Sequence, residues 1–351
     1  MILVTGSNGL VGSHIVSELL GRGMQVKALI RSEKALNQIK RTLTFYHEFP
    51  DLLLKNITFV EGNVNDISSL ENAFEGVDAV CHCAAVVSFH PRDKEALQKV
   101  NIEGTANVVN IALWRGVKRF CHISSIAVLG AGTAGVIKED PLFDNLPKGT
   151  WYARSKFMAE REVWRGIEEG LEAVILNPSI ILGPGDWNNG SSQLFSLVYK
   201  GLNFYSEGIT GYVDVRDVAR AAVLALESDV RGERFILNGE NLSFKELFFE
   251  MADALGRPRP SLKVNRPLAE LVWRLAWLSE KITGKPSPIT RETARSAFEH
   301  YHYSAAKFKN QFDFKFTPIR ETIAFTASLF LKENTRKPTS NPPSDPIPKD
   351  S

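Results

Sequence analysis

Three glycines, at positions 6, 9 and 12, constrain this chain more than any other feature of its sequence. They stand in Thr5-Gly6-Ser7-Asn8-Gly9-Leu10-Val11-Gly12, directly after the apolar run Ile2–Thr5 and at the start of a stretch with helical apolar spacing. One glycine permits a tight turn. One lets backbone N–H groups approach a pyrophosphate, and one lets the helix pack close to the strand, whose turn then points the helix N-terminus at phosphate charge. In this strand–turn–helix setting the spacing predicts a dinucleotide cradle made by Gly6, Asn8, Gly9, Leu10 and Gly12. The second strand ends Ala28-Leu29-Ile30-Arg31-Ser32. An acidic residue there would bond a free ribose 2′-hydroxyl, whereas Arg31 offers a cation suited to a 2′-phosphate. The expected cofactor is therefore NADP(H), with NAD(H) possible.

The rest of the first half keeps the same rhythm. Short apolar runs at Ile2–Thr5, Gln25–Ile30, Ile57–Val60, Asp78–Cys83, Arg119–Ser124 and Ala173–Leu176 read as strands buried on both faces. Helical stretches at Leu10–Gly21, Ser69–Phe74, Lys94–Trp114 and Tyr152–Glu169 lie between them. Such alternation implies right-handed crossovers and an α/β fold with a doubly wound parallel sheet, its ligand beyond the carboxyl ends of the strands. Residues 1–176 are expected to form this dinucleotide domain, with segments near 212–238, including strands at Tyr212–Val213 and Arg234–Leu237, returning to it. Residues 177–333 read as a smaller, mainly helical substrate lobe, with helices at Asp217–Glu227, Phe244–Leu255, Leu268–Ile282 and Pro318–Leu331. Residues 334–351, rich in Pro, Ser, Lys and Asp, read as a disordered tail.

Charge and cysteine content narrow the partners. The 42 basic and 40 acidic residues leave a formal charge of +2, which gives no reason to expect nucleic acid. Cys81, Cys83 and Cys121 are odd in number and match no usual zinc spacing, so reduced thiols in a cytoplasmic protein are expected. No secretory leader pattern precedes the first strand, and no uncharged run reaches the roughly 18 residues needed to span a bilayer. The apolar stretch 268–282 carries Glu270, Arg274, Glu280 and Lys281 and reads as a packed helix. His82 and His122 read as structural, and His300 and His302 have no metal-ligand pattern around them.

Tyr152 and Lys156 are four residues apart on a predicted helix and so share one face. A phenol is a poor base at neutral pH, but a neighbouring ammonium stabilises the phenolate and lowers its pKa, making the ring oxygen a usable proton carrier.

Further motifs follow in order: Gly62-Asn63-Val64-Asn65-Asp66, Cys81-His82-Cys83-Ala84-Ala85, Val100-Asn101-Ile102-Glu103-Gly104-Thr105, Ser124-Ser125-Ile126-Ala127-Val128-Leu129-Gly130, Tyr152-Ala153-Arg154-Ser155-Lys156, and Asn177-Pro178 ahead of Gly183-Pro184-Gly185. Together with the glycine turn they resemble the extended short-chain dehydrogenase/reductases over roughly residues 1–330. The likeness is strongest to dihydroflavonol 4-reductase-like and 3β-hydroxysteroid dehydrogenase-like members, which the segment Gly211–Ala219 also supports. The resemblance implies cofactor contacts from Asn63 and Val64, from Ala84 and Ala85, from Tyr152 and Lys156, and from Pro178. It implies a substrate-holding role for Ser125, an Asn101 that supports Lys156 through its backbone or a water, and dimerisation through two helices.

The reading that emerges is hydride transfer between a nicotinamide and a carbonyl or secondary alcohol of a small, relatively uncharged molecule. A nucleotide-sugar epimerase or dehydratase is the first alternative. It needs cations for a diphosphate, and from Asn177 to Val213 only Lys200 is basic, with Arg216, Arg231 and Arg234 beyond. A non-catalytic NADP(H)-binding regulator is the second, disfavoured by the retention of Ser125, Tyr152 and Lys156. Work at a membrane surface would rest on the 268–282 helix alone.

Overall fold

The computed structural model describes residues 1–129, 135–139, 149–283 and 291–335, with residues 34, 276–283 and 291–293 described by their backbone only. The chain opens with β1 (Ile2–Thr5), α1 (Leu10–Gly21), β2 (Val26–Ile30), α2 (Lys34–Tyr46), β3 (Ile57–Glu61), α3 (Ile67–Ala73) and β4 (Ala79–His82). It continues through Lys94–Leu97 and a π turn at Gln98–Glu103 into α4 (Gly104–Trp114), then β5 (Arg119–Ile123), α5 (Trp151–Glu168) and β6 (Ala173–Pro178). A second half holds β7 (Ile180–Leu182), β8 (Ile209–Asp214), α6 (Val215–Glu227), β9 (Glu233–Leu237), β10 (Glu240–Ser243), α7 (Phe244–Ala254), α8 (Arg266–Thr283) and α9 (Ile319–Thr335).

Seven strands form one parallel sheet in the order β9-β6-β5-β4-β1-β2-β3. The order reverses at β1, between β2 and β4, and a crevice opens there at the carboxyl ends of the strands. The sheet is buried on both sides. Val4, Cys81, Cys121 and Val174 face a layer made by α1 and α6, with Ile15, Leu19, Val218 and Ala222. Leu3, Val80, Phe120 and Ile175 face α3, α4 and α5, with Val108, Val109 and Val163. Each fully buried Leu, Ile, Val or Phe stabilises by about 1.5–3 kcal/mol, so these two layers hold the crevice rim in register. The expected doubly wound α/β class is what the structure shows.

The helix from Val215, inside the 212–238 span expected to return to the first domain, packs along α1. Tyr212 and Val213 do not rejoin the main sheet: they lie in β8, at the centre of a separate three-stranded sheet β10-β8-β7. This sheet and α7 and α9 enclose a third core around Leu182, Phe195, Tyr212, Leu247, Met251 and Phe330. The strand at β9 does return, as the edge of the main sheet beside β6. The last helix runs to Thr335, two residues into the expected tail, and residues 336–351 of that tail lie outside the described residues. The helix expected over Lys94–Trp114 carries the π turn that holds Asn101; such single-turn widenings recur at functional sites. Among the described residues no helix is long and apolar enough to cross a membrane.

Candidate active site

The cradle begins where β1 ends. Gly6 has φ +63°, a conformation that side chains with a Cβ rarely adopt. A Cβ on Gly6 would stand 2.7 Å from the backbone of Ala84, and one on Gly12 would stand 2.2 Å from the Gly6 carbonyl oxygen. The turn therefore closes only without side chains at either position. The Gly9 N–H donates to the Gly6 carbonyl at 2.9 Å, and Gly9 caps α1 with no side chain engaged there. Helix N–H groups at Leu10 and beyond are thus left for an anion, and Asn8 is half-buried in the turn. The Ser7 hydroxyl donates to the Leu29 carbonyl at 2.8 Å, tying the turn to the end of β2. Arg31 stands next, exposed, with no hydrogen bond or ion pair among the described residues.

Two further turns line the same crevice. The Asn63 side chain accepts the Asn65 N–H at 3.1 Å, while its backbone N–H donates to Ser69 Oγ at 3.0 Å. Val64 is buried against the bare Cα of Gly104, and its carbonyl accepts from Asn107 Nδ2 at 3.0 Å. Behind β4, Thr5 Oγ1 accepts the N–H groups of Cys83 and Ala84, both at 3.2 Å. With those acceptances made, the Thr5 hydroxyl proton goes to His82 Nδ1, 2.7 Å away. His82 then donates from Nε2 to Thr105 Oγ1 at 3.0 Å, and Thr105 donates to the Asn101 carbonyl at 2.6 Å. Burial holds His82 neutral, its pKa pushed down to about 3. It is a spacer between β1 and the π turn. His122 is stacked on it with ring centroids 5.3 Å apart. Ala85 is half-buried beyond Ala84, and Pro178 is buried at the end of β6, paired with Leu237.

The residues expected to transfer the proton lie at the end of β5. Thr150 caps α5 by accepting the Ala153 N–H at 3.0 Å, which fixes the helix start and aims Tyr152 at the crevice. The Ser125 hydroxyl, which accepts the Ala127 N–H at 3.1 Å, lies beside the Tyr152 phenol. Desolvation of the half-buried phenol raises its pKa, and the Ser125 hydroxyl pulls it back only in part. Lys156, one turn on, is buried and donates to the Ile123 carbonyl at 2.7 Å. Burial lowers its pKa to about 8, against the charge of Glu160 and the Cys83 thiol, which raise it. The Phe89 ring packs edge-on to Tyr152 at 5.5 Å.

Residues 2–238 match the model of a family described as NAD dependent epimerase/dehydratase. The chain belongs to that family. Among its curated relatives is sterol demethylase protein B of Methylococcus capsulatus, 30% identical over 75% of this chain and 76% of the relative. A putative dihydroflavonol 4-reductase of Synechocystis is 28% identical over 93% of each chain. Among solved structures, gox2253 superposes with a TM-score of 0.78, at 29% identity, over 95% of this chain and 98% of its own. The expected likeness to extended short-chain dehydrogenase/reductases of the dihydroflavonol-reductase kind thus holds, and with it an NAD(P)-dependent oxidoreductase class.

Desolvation is the largest influence on the Tyr152 phenol and raises its pKa, while the Lys156 amine donates to Ile123. The Asn101 side chain clamps both backbone groups of Val86, at 2.7 Å and 3.0 Å, and donates to Ser155 Oγ at 2.9 Å, so it joins the loop after β4 to α5.

Sequence reasoning missed the groups beneath this cluster. Glu160 is fully buried and accepts from Ser124 Oγ at 2.7 Å, Asn177 Nδ2 at 2.9 Å and Arg234 Nη1 at 2.9 Å. A glutamate between Ala159 and Arg161 on the face shared by Lys156 and Val163 was the available signal, but its partner lies 74 residues away. The arginines considered for a substrate diphosphate are committed elsewhere. Arg216 holds Asp214 at 2.5 Å, Arg231 holds Glu172 at 2.7 Å, and Arg234 holds Glu160.

Proposed function

We propose that this chain is an NADP(H)-dependent oxidoreductase that transfers hydride between the nicotinamide and a carbonyl or secondary alcohol of a small, relatively uncharged organic substrate. The observation that carries this reading is the placing of Ser125 beside Tyr152, with buried Lys156 one helical turn on, at the carboxyl end of β5. The bound cofactor supplies or takes the hydride. Ser125 orients the substrate oxygen. Tyr152, kept protonated by its surroundings, delivers its O–H proton to that oxygen in reduction and takes it back in oxidation. Lys156 supplies the positive charge that stabilises the phenolate once the proton has left.

Residues fitted to the cofactor are Gly6, Asn8, Gly9, Leu10 and Gly12 for the pyrophosphate, with Asn63 and Val64 by the adenine, and Ala84, Ala85 and Pro178 along its length. Arg31, exposed and without a partner among the described residues, supports the 2′-phosphate and hence NADP(H). The uncharged substrate class is supported by the commitment of Arg216, Arg231 and Arg234 to carboxylates, and by Val87 and Phe89, 62% and 43% exposed near Tyr152. The sterol and the dihydroflavonol in the relatives' names fit the same class.

Tyr152→Phe should lower kcat by about 10²–10⁴-fold while cofactor affinity stays within a few-fold. Undiminished turnover of carbonyl compounds by that variant would overturn the assignment. Fluorescence titration should show NADPH binding tighter than NADH, with Arg31→Ala costing NADPH about tenfold or more and NADH little. An equal loss for both would move the 2′-phosphate site elsewhere.

A further inference from the structure

The buried pair Glu160–Arg234 has no place in the proton transfer described above, yet it sits under every group that performs it. Glu160 follows Lys156 by one helical turn on α5. Its carboxylate takes the Ser124 hydroxyl at 2.7 Å, the Asn177 amide at 2.9 Å and the Arg234 guanidinium at 2.9 Å. The Asn177 amide also donates to the Ser125 carbonyl at 3.1 Å. The carboxylate therefore ties the backbone that presents Ser125 to the strands β6 and β9 and to the helix that presents Tyr152 and Lys156.

Burying two charges is costly, and an apolar pair of similar volume would stabilise such a site as well or better. A full ion pair here, 0% and 7% exposed on its two side chains, is explained better by what its charge does than by stability. We propose that Glu160, neutralised by Arg234, is a positioning residue: it fixes the Ser124–Ser125 turn and sets the charge felt by the Lys156 amine. This rests on the reading of Tyr152 and Lys156 as the proton-transfer pair, and deepens it.

The amine is surrounded by few other titratable groups. Glu160 on its own helix and the Cys83 thiol at the end of β4 favour its charged form, and the rings of His82 and His122 beneath it are held neutral by burial. Glu160 is thus the one carboxylate that acts on it among the described residues. Arg234, one ion pair further off, tempers that charge.

The two members of the pair should move Lys156 in opposite directions. Glu160→Gln keeps the shape and removes the negative charge, so the ammonium is lost at lower pH. Arg234→Met leaves the carboxylate unbalanced, so the ammonium persists to higher pH. Neither sign follows from mere loosening of the fold. The measurement is the titration of the Lys156 amine by NMR of ¹⁵N-lysine-labelled full-length protein, assigned with Lys156→Met, alongside the pH profile of kcat. The expected result is a downward shift of about one pH unit or more in Glu160→Gln and an upward shift in Arg234→Met. The alkaline limb of kcat should follow each. Glu160→Gln should also lower kcat at least tenfold through the freed Ser125 turn, with cofactor affinity nearly unchanged. The double variant Glu160→Gln/Arg234→Met, which removes both charges, should return the amine towards the parent value and guards against loss of either single variant to misfolding. Shifts of the same sign, or an amine unmoved in folded variants, would overturn the proposal. The amine titration needs no turnover, so an inactive parent protein or an active Tyr152→Phe would count against the proposed function alone.

Discussion

The two walls of the crevice are built on opposite plans. On the cradle wall recognition is by main chain, and the decisive feature is absent side chains. Gly6 and Gly12 leave room for the turn, Gly104 admits Val64, and Ala84 packs against the turn with only a methyl group. On the chemistry wall everything is done by side chains, several of them charged and buried: Lys156, Glu160 and Arg234. The difference teaches where each wall stores its cost. A backbone cradle costs little in the folded protein, because it buries no charge. A buried ammonium is a standing expense at neutral pH, which the proposed proton transfer would explain.

The sharpest test of that contrast is Lys156→Met. It should lower kcat by about 10²–10⁴-fold and yet raise Tm at pH 7, because the folded pKa of about 8 lies below the unfolded value of 10.5. Below pH 8 the folded state bears the full penalty of holding the charge, and the penalty fades as pH rises towards 10.5. The gain is of order 1–3 kcal/mol, less the lost bond to Ile123. A fall in Tm would mean that the amine stabilises the fold and that the two walls do not differ in this way. Gly12→Ala should show the reverse pattern. Its Cβ meets backbone that cannot give way, so stability should fall by about 1–3 kcal/mol and cofactor Kd rise by about tenfold or more, with kcat at saturation less affected. Unchanged cofactor affinity would show that the turn is not the phosphate site. A third test concerns acid. His82 and His14 are pushed by burial from 6.5 to about 3 and about 4. Their contribution is intact above pH 6.5 and is lost as pH falls through that window, at up to about 1.4 kcal/mol per pH unit for each ring. Melting curves from pH 8 to 4 should be flat at first and then fall, and His82→Gln should flatten the decline. An equal decline in that variant would place the acid-sensitive group elsewhere.

Legibility followed the same division. The glycine turn was legible because its requirement is local: three missing Cβ atoms within seven residues of one strand end. The relation of Tyr152 to Lys156 was legible for the same reason, since four residues on one helix fix it. What stayed hidden depended on partners far along the chain. The Lys156 amine found its acceptor at Ile123, 33 residues away. The Asn101 side chain clamps Val86 and Ser155, 15 and 54 residues off. Tyr212 pairs within a separate small sheet, because alternation in a short strand does not say which neighbour it takes.

By itself, then, the sequence determined the strand–helix rhythm, the doubly wound sheet, the glycine turn and the face shared by Tyr152 and Lys156, because periodicity and the absence of a Cβ act over a few residues. Only the tertiary structure decided that Glu160 and Arg234 meet beneath that face, that α6 packs along α1, and that burial raises the phenol's pKa. Those outcomes come from desolvation and from hydrogen-bond partners that exist only once distant strands lie side by side.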